Sequence, residues 1–284
     1  MLLAIDIGNT QTVVGLYGDL AERDRAGQDG ASRDSPVLAP GDELRYHWRI
    51  STNAERTSDE HALVIQEFLG FHGFSWDEQI RGIVISSVVP RATAAFRQMT
   101  ERYFGFKPVV IEPGVKTGMP ILTDSPREVG ADRIANAVAA YDRFGGPVIV
   151  IDFGTATTFD AVSAKGELLG CAIAPGIEIS LDALYQRAAA LRRVELVEPR
   201  NVIGRTTVEA IQSGAIYGFA GQVDGVCARM AAELGGGGED QVVVVATGGL
   251  AELISPYTQS VQHLEPWLTL HGLRLIFERN VVAQ

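Results

Sequence analysis

The sequence predicts an α/β protein built from two related domains, and three observations carry that prediction. A short acidic turn of the form Asp-x-Gly occurs twice, in "AIDIGNTQTVVGLYG" at residues 4–18 and in "VIDFGTATTFDAVS" at residues 150–163. The apolar runs around the first turn follow the order β-β-β-α-β-α, and that order restarts at Val148. The chain has 284 residues, enough for two domains with a core each. The repeat is therefore a domain-scale duplication and not a short solenoid period.

The elements follow from local pattern. Leu2 to Ile7 and Gln11 to Tyr17 read as two strands joined by the turn Gly8-Asn9-Thr10. Asp19 to Asp42 is rich in Gly, Asp, Ser, Ala and Pro and shows no apolar period, so it reads as an excursion between strands. "LRYHWRI", Leu44 to Ile50, alternates as a third strand does. Ser58 to Phe71 is expected as a helix, with Ser58 as its cap and Leu63, Phe68 and Leu69 on an apolar face. Arg81 to Val88 is a buried-type strand, and a helix is expected from Pro90 to Phe104. In the second half, Val148 to Phe153, Thr157 to Ser163 and Leu168 to Ile173 are strands. A helical stretch follows Pro175-Gly176, then a long helix over Thr207 to Leu234, a buried strand at Val242 to Ala246 and a closing helix in "LTLHGLRLIFERN". The domain boundary is placed between residues 1–125 and 126–284.

Composition narrows the partners. Hydrophobic residues make up 46% and charged residues 21%, a globular profile. The net charge of −11 argues against a nucleic-acid backbone or an anionic membrane, both of which call for clustered Lys and Arg. Two distant cysteines, Cys171 and Cys227, read as reduced thiols of a cytoplasmic protein. The start "MLLAID" lacks the basic region of a signal peptide. No apolar run reaches the roughly 18 residues that span a bilayer. The histidines show no metal-ligand spacing.

The acidic turns carry the chemistry. Asp6 stands where an apolar strand ends. Gly8 permits close backbone approach, Asn9, Thr10 and Thr12 bring donors, and successive backbone N–H groups form a cradle for phosphate oxygens. A carboxylate beside a phosphate cradle makes sense with a cation between them, as when Mg²⁺ on ATP is held by carboxylate and phosphates. The alternative is a plain hairpin with an Asp turn. Thr247-Gly248-Gly249-Leu250-Ala251 follows a buried strand and offers a third close approach, to a nucleoside, or a plain strand-to-helix turn. "GVKTG" at Gly114 to Gly118 lacks the spacing of a Walker A loop.

A second acidic element is Gly130-Ala131-Asp132-Arg133 at the start of a helix. Asp132 is either a helix-start residue suited to the dipole or a base for a phosphoryl-accepting hydroxyl. Arg133 beside it suits a substrate carboxylate. Gly214, Gly218, Gly221 and Gly225 share one helical face. Each glycine costs roughly 1 kcal/mol in a helix, so that face packs closely, either within its own domain or in a two-fold contact helped by Ile211, Ala215 and Phe219.

These residues carry a resemblance. The paired Asp-x-Gly hairpins and the T-G-G turn are similar to those of the actin-like ATPase superfamily. "DIGNT", "PREVGADRIANAVAAYDRF", "DFGTATTFD", "GCAIAPG", "GRTTVEAIQSGAIYGFAGQVDG", "ATGGLA" and "LTLHGLRLIFERN", taken in order, resemble the type III pantothenate kinases, the first enzyme of coenzyme A synthesis. The resemblance implies two duplicated ribonuclease H-like domains with a cleft between them, and ATP-dependent phosphorylation of pantothenate by direct in-line transfer. It implies ATP phosphates on Asp6, Ile7, Gly8, Asn9, Thr10, Gln11, Thr12 and Val13, and an ATP contact at Thr155. It further implies Asp132 as the base, Gly130, Ala131, Asp132, Arg133 and Thr207 as pantothenate contacts, and a monovalent cation, K⁺ or NH₄⁺, at Asp152. Mg²⁺ accompanies ATP, and the family is dimeric with its substrate site near the interface. The chain departs from the family in the long Asp19 to Asp42 excursion and in having Thr123 where many relatives carry a Tyr. Competing readings are another small-molecule kinase of the same fold, which a substrate panel separates, and an inactive relative acting as a regulator. Against the last, Asp6, Gly8, Asn9, Asp132, Asp152, Gly154 and Thr155 are all in place.

Overall fold

The computed structural model describes residues 1–18, 44–188, 191–235 and 241–281. The expected excursion from Asp19 to Asp42 lies outside the described residues. In chain order the elements are β1 (Leu2–Ile7), β2 (Gln11–Tyr17), β3 (Leu44–Ser51), α1 (Ser58–Gly70), α2 (Trp76–Gln79), β4 (Gly82–Ser87), α3 (Pro90–Met99) and β5 (Val109–Val110). There follow α4 (Ala131–Phe144), β6 (Val148–Phe153), β7 (Ala156–Val162), β8 (Leu168–Pro175), α5 (Ile177–Arg187), α6 (Thr207–Glu233), β9 (Val243–Thr247), α7 (Ala251–Ile254), β10 (His263–Leu264) and α8 (Leu268–Val281).

The duplication is visible in the strand order. One sheet runs β3-β2-β1-β4-β5 and the other β8-β7-β6-β9-β10. In each, the strand that delivers the acidic turn lies antiparallel to its hairpin partner and parallel to the fourth strand. The register repeats too. Asp6 stands opposite Ser86 of β4, and Asp152 stands opposite Thr247 of β9.

Two compact units result. The first gathers Met1–Gly118, Arg127–Ala135 and Thr269–Gln284, and the second Met119–Pro126 and Asn136–Leu268. The sequence placed one boundary after residue 125, whereas the first unit also takes the start of α4 and the C-terminal helix. Packing explains the return of α8. A Cβ on Gly82 would fall 2.2 Å from the Phe277 ring, and one on Gly15 would fall 2.7 Å from Leu270. Bare backbone on the first sheet is what lets α8 lie against it. The opposite face of that sheet sends Leu3, Ile5, Ile7, Ile83 and Ile85 into a core with Ile65 of α1 and Phe96 of α3. In the second unit Ile149, Ile151, Phe153 and Phe159 form a core with Ile216 and Val223 of α6.

Some local expectations change. Thr57, not Ser58, caps α1: its hydroxyl accepts from the Glu60 N–H at 3.3 Å, and the Glu60 carboxylate accepts from the Thr57 N–H at 2.7 Å. The helix expected to run to Phe104 is α-helical only to Met99 and continues as a π-helical turn over Thr100–Phe104. There the buried Thr100 hydroxyl donates to the Phe96 carbonyl at 2.8 Å and competes with the helical ladder. Ile211, Ala215 and Phe219 pack into the second unit's own core, since they lie on the face of α6 turned to the sheet. The glycine face is the other one. Gly214, Gly218 and Gly221 are exposed, and a Cβ on any of them would meet nothing within 4 Å. Among the described residues nothing of this chain covers these three glycines, while Gly225 lies beneath the Arg229 side chain. No described helix is long and apolar enough to cross a membrane.

Candidate active site

The first acidic turn is a tightly tied hairpin. The Gly8 N–H donates to the Gln11 carbonyl at 3.0 Å. Thr52, just past β3, locks it: its hydroxyl donates to the Gly8 carbonyl at 2.8 Å and its N–H to the Thr10 carbonyl at 3.0 Å. Asp6 is half-buried at the strand end, while Asn9, Thr10 and Gln11 are exposed beyond it. Ile7 and Thr12 are buried on the core side. Strand alternation puts them there, so Ile7 has only its backbone to offer a ligand. The Thr12 hydroxyl, expected as a ligand donor, is engaged inside the protein, 2.9 Å from the Thr52 hydroxyl. Thr52 carried no local signal, because its bonds reach more than forty residues back along the chain.

The second turn is built more tightly still. The Gly154 N–H donates to the Ala156 carbonyl at 3.1 Å, and the Gly176 N–H donates to the Thr155 carbonyl at 3.2 Å. A Cβ on Gly176 would stand 2.2 Å from that same carbonyl oxygen. Gly248 of the T-G-G turn has φ 95°, and a Cβ there would stand 2.5 Å from Asp152 Oδ1 and 2.6 Å from the Phe153 nitrogen. The close backbone approach expected of the T-G-G turn is thus made against the second acidic turn. Asn136 of α4, fully buried, donates from Nδ2 to Asp152 Oδ2 at 3.1 Å. Asp152 thus has a neutral amide among its partners.

Glycine also shapes the start of α4. The Gly130 carbonyl accepts the first helical bond, from Ile134 at 3.1 Å. Asp132 Oδ1 accepts from the Arg133 N–H at 2.8 Å, and a Cβ on Gly130 would fall 2.4 Å from that oxygen. The carboxylate therefore lies over residue 130 because residue 130 has no side chain. Ala131 is buried, and Asp132 and Arg133 are half-buried. Gly272 of α8 lies against this turn of α4; its Cβ would fall 1.9 Å from the Ala135 carbonyl oxygen.

The first unit thus holds both the Asp6–Val13 hairpin and Gly130–Arg133. The second holds Asp152, Thr155 and Thr207. Thr207 opens α6 with its side chain exposed; the cap is Thr206, whose hydroxyl accepts from the Glu209 N–H at 3.2 Å. Cys227 is buried, which pushes its thiol up to about 11, and Cys171 is exposed; both are free thiols.

The donor sets indicate which ions fit. No group of three or more His, Cys, Asp or Glu side chains among the described residues has metal-site geometry. Mg²⁺ brought by a nucleotide keeps waters and phosphate oxygens and needs only one or two carboxylates, which a half-buried Asp6 beside an exposed turn satisfies. At Asp152 the carboxylate is a hard oxygen donor, suited to an alkali cation and unsuited to a soft metal.

The family model described as type III pantothenate kinase matches residues 2–229. Curated type III pantothenate kinases of Streptomyces griseus and Streptomyces coelicolor are each 53% identical, with 99% of this chain and 99% of theirs aligned. That of Moorella thermoacetica is 50% identical over 99% of this chain and 100% of its own. Among solved structures, a conserved Baf family protein from Campylobacter jejuni superposes with a TM-score of 0.56 at 18% identity, covering 98% of both chains. The activator of 2-hydroxyisocaproyl-CoA dehydratase from Clostridium difficile, solved with bound ADPNP, gives 0.50 at 11% identity, covering 100% of this chain and 96% of its own. These two likenesses show the fold alone, a duplicated α/β architecture.

Proposed function

Because the chain belongs to the type III pantothenate kinases, it phosphorylates pantothenate at the expense of ATP, with a divalent metal as cofactor, and we propose that it does so by direct in-line transfer with Asp132 as the base. The observation that carries this is the placement of Asp132. Its carboxylate is oriented by the first turn of α4 and lies over Gly130, where a side chain would displace it. A carboxylate held that way is ready to accept the proton of a primary hydroxyl as its oxygen attacks the γ-phosphorus.

The remaining roles follow from chemistry. Backbone N–H groups of the turn beyond Gly8 and the exposed Asn9 and Thr10 side chains receive the phosphates, with Asp6 facing the metal. Metal on the phosphates supplies charge neutralisation as the bond to the leaving oxygen breaks. Arg133 grips the pantothenate carboxylate, and Thr207 adds a hydroxyl contact. Thr155 contacts ATP, and Asp152 holds a monovalent cation, K⁺ or NH₄⁺, which fixes the second turn electrostatically. The chain works as a homodimer in the cytoplasm. The exposed stripe of Gly214, Gly218 and Gly221 supports the dimer, since each glycine costs helix stability and a Cβ there would meet nothing among the described residues.

A coupled assay of ATP consumption with pantothenate, with and without K⁺, tests the reading. Pantothenate-dependent turnover that collapses in Asp132→Asn is the expected result. Turnover that survives in Asp132→Asn removes Asp132 as the base.

A further inference from the structure

We propose that Ser86 is a positioning residue for the first acidic turn, its hydroxyl turning onto the Asp6 carboxylate when metal-bound nucleotide occupies the hairpin. The proposal rests on the reading of Asp6–Val13 as the nucleotide phosphate site. β1 and β4 pair in parallel with Asp6 opposite Ser86. Ile5, Ile7, Ile83 and Ile85 all enter the core on one face of the sheet, so strand alternation turns Asp6 and Ser86 together to the other. Neighbouring strands lie about 4.8 Å apart, a gap that one rotamer change of a serine spans.

Ser86 is fully buried, and its hydroxyl makes no hydrogen bond among the described residues. Leaving such a group unmet costs stability. Local backbone needs do not explain its presence. Ser87 serves them, its hydroxyl accepting from the Val89 N–H at 3.0 Å and lying 3.2 Å from the Val89 carbonyl. The other β4 residues on Ser86's face are Gly82 and Val84, neither with a polar side chain, so fold alone calls for no hydroxyl there. The duplication supplies a second observation. At the matching place in the other sheet, opposite Asp152, stands Thr247, also buried and also a hydroxyl. Each acidic turn is therefore backed by an alcohol on the parallel neighbour. A carboxylate that faces a metal is held in one orientation by such outer hydrogen bonds.

The test compares wild type, Ser86→Ala and Asp6→Asn by calorimetric titration with ATP plus Mg²⁺ and with ATP in EDTA, alongside thermal melts without nucleotide. Ser86→Ala is expected to bind Mg·ATP about tenfold more weakly with unchanged binding in EDTA. Its melting temperature without nucleotide should equal or exceed that of wild type, because no hydrogen bond is lost. Unchanged Mg·ATP affinity in Ser86→Ala, with weakened affinity in Asp6→Asn, overturns the role of Ser86 alone. Equal losses with and without metal, or a lowered melting temperature with no metal-specific loss, also overturn it in favour of a packing role. Full Mg·ATP affinity in Asp6→Asn overturns the phosphate-site reading itself.

Discussion

Asn136 Nδ2 donates to Asp152 Oδ2 across 3.1 Å, from a side chain with no solvent exposure. The amide orients the carboxylate without neutralising it. Asn136 follows Asp132 by one helical turn, so a single face of α4 carries both the proposed base and the residue that aims the proposed cation ligand.

The first prediction concerns that cation. At fixed ionic strength, activity should rise with K⁺ or NH₄⁺ and fall in Na⁺. Asn136→Leu should raise the K⁺ concentration needed for half activation, because Asp152 then loses its fixed orientation. Equal rates in K⁺ and Na⁺ would contradict the assignment of Asp152.

The base is the second. Asp132→Asn keeps size and hydrogen bonding but removes the proton acceptor. General-base catalysis is typically worth about 10²–10⁴-fold, so kcat should fall by roughly that much while ATP affinity holds. Arg133→Ala should instead raise the KM for pantothenate. Steady-state kinetics on the two variants separate the roles.

The third uses Gly248. At φ 95° a side chain is strained, and its Cβ would press on Asp152 Oδ1 at 2.5 Å. Gly248→Ala should cost about 1–3 kcal/mol of stability and weaken ATP binding as well. A melt and a nucleotide titration check both effects; full ATP affinity in a destabilised variant would mean that the T-G-G turn serves the fold only.

Association is the fourth. Gly218→Leu fills an exposed position with no neighbour among the described residues, so monomer stability should change little. Sedimentation should show a dimer for wild type and weakened association, with reduced activity, for the variant. A fully active wild-type monomer would refute the dimer.

The fifth is a pH effect. His61 is buried against Phe96 with ring centroids 4.0 Å apart. Burial, with Arg56 nearby, lowers its pKa from 6.5 to about 4. The folded state thus favours the neutral ring, and its contribution is complete above pH 6.5 and is lost as pH falls toward 4. Its share of that loss is at most about 3 kcal/mol. His61→Phe should flatten the fall in melting temperature across that window; an unchanged slope would place the acid sensitivity elsewhere.

Much of this was legible in the chain itself because it is periodic and local. The strands that deliver Asp6 and Asp152, and the hairpins that follow, show in apolar runs punctuated by Gly8 and Gly154. Asp132 showed as an acid at a helix start. Thr52, Asn136 and Ser86 did not show, since each acts through a partner distant in sequence: a hairpin carbonyl, a strand-end carboxylate, a register position. The glycine stripe showed as a stripe, but the residues expected to flank it as contacts turned inward. Helical phase separates the two faces, and Ile211 and Ala215 belong to the sheet side.

The return of α8 to the first sheet bears on the order in which the protein folds. Leu270 and Phe277 cover Gly15 and Gly82, so the sheet that presents Asp6 keeps one side uncovered until α8 has emerged from the ribosome. The second unit, which ends at Leu268, has all its strands and helices by then and is free to fold first. Domains commonly fold as they are synthesised, the N-terminal one leading; here the sheet that contains β1 waits for α8, which follows the second unit in the chain.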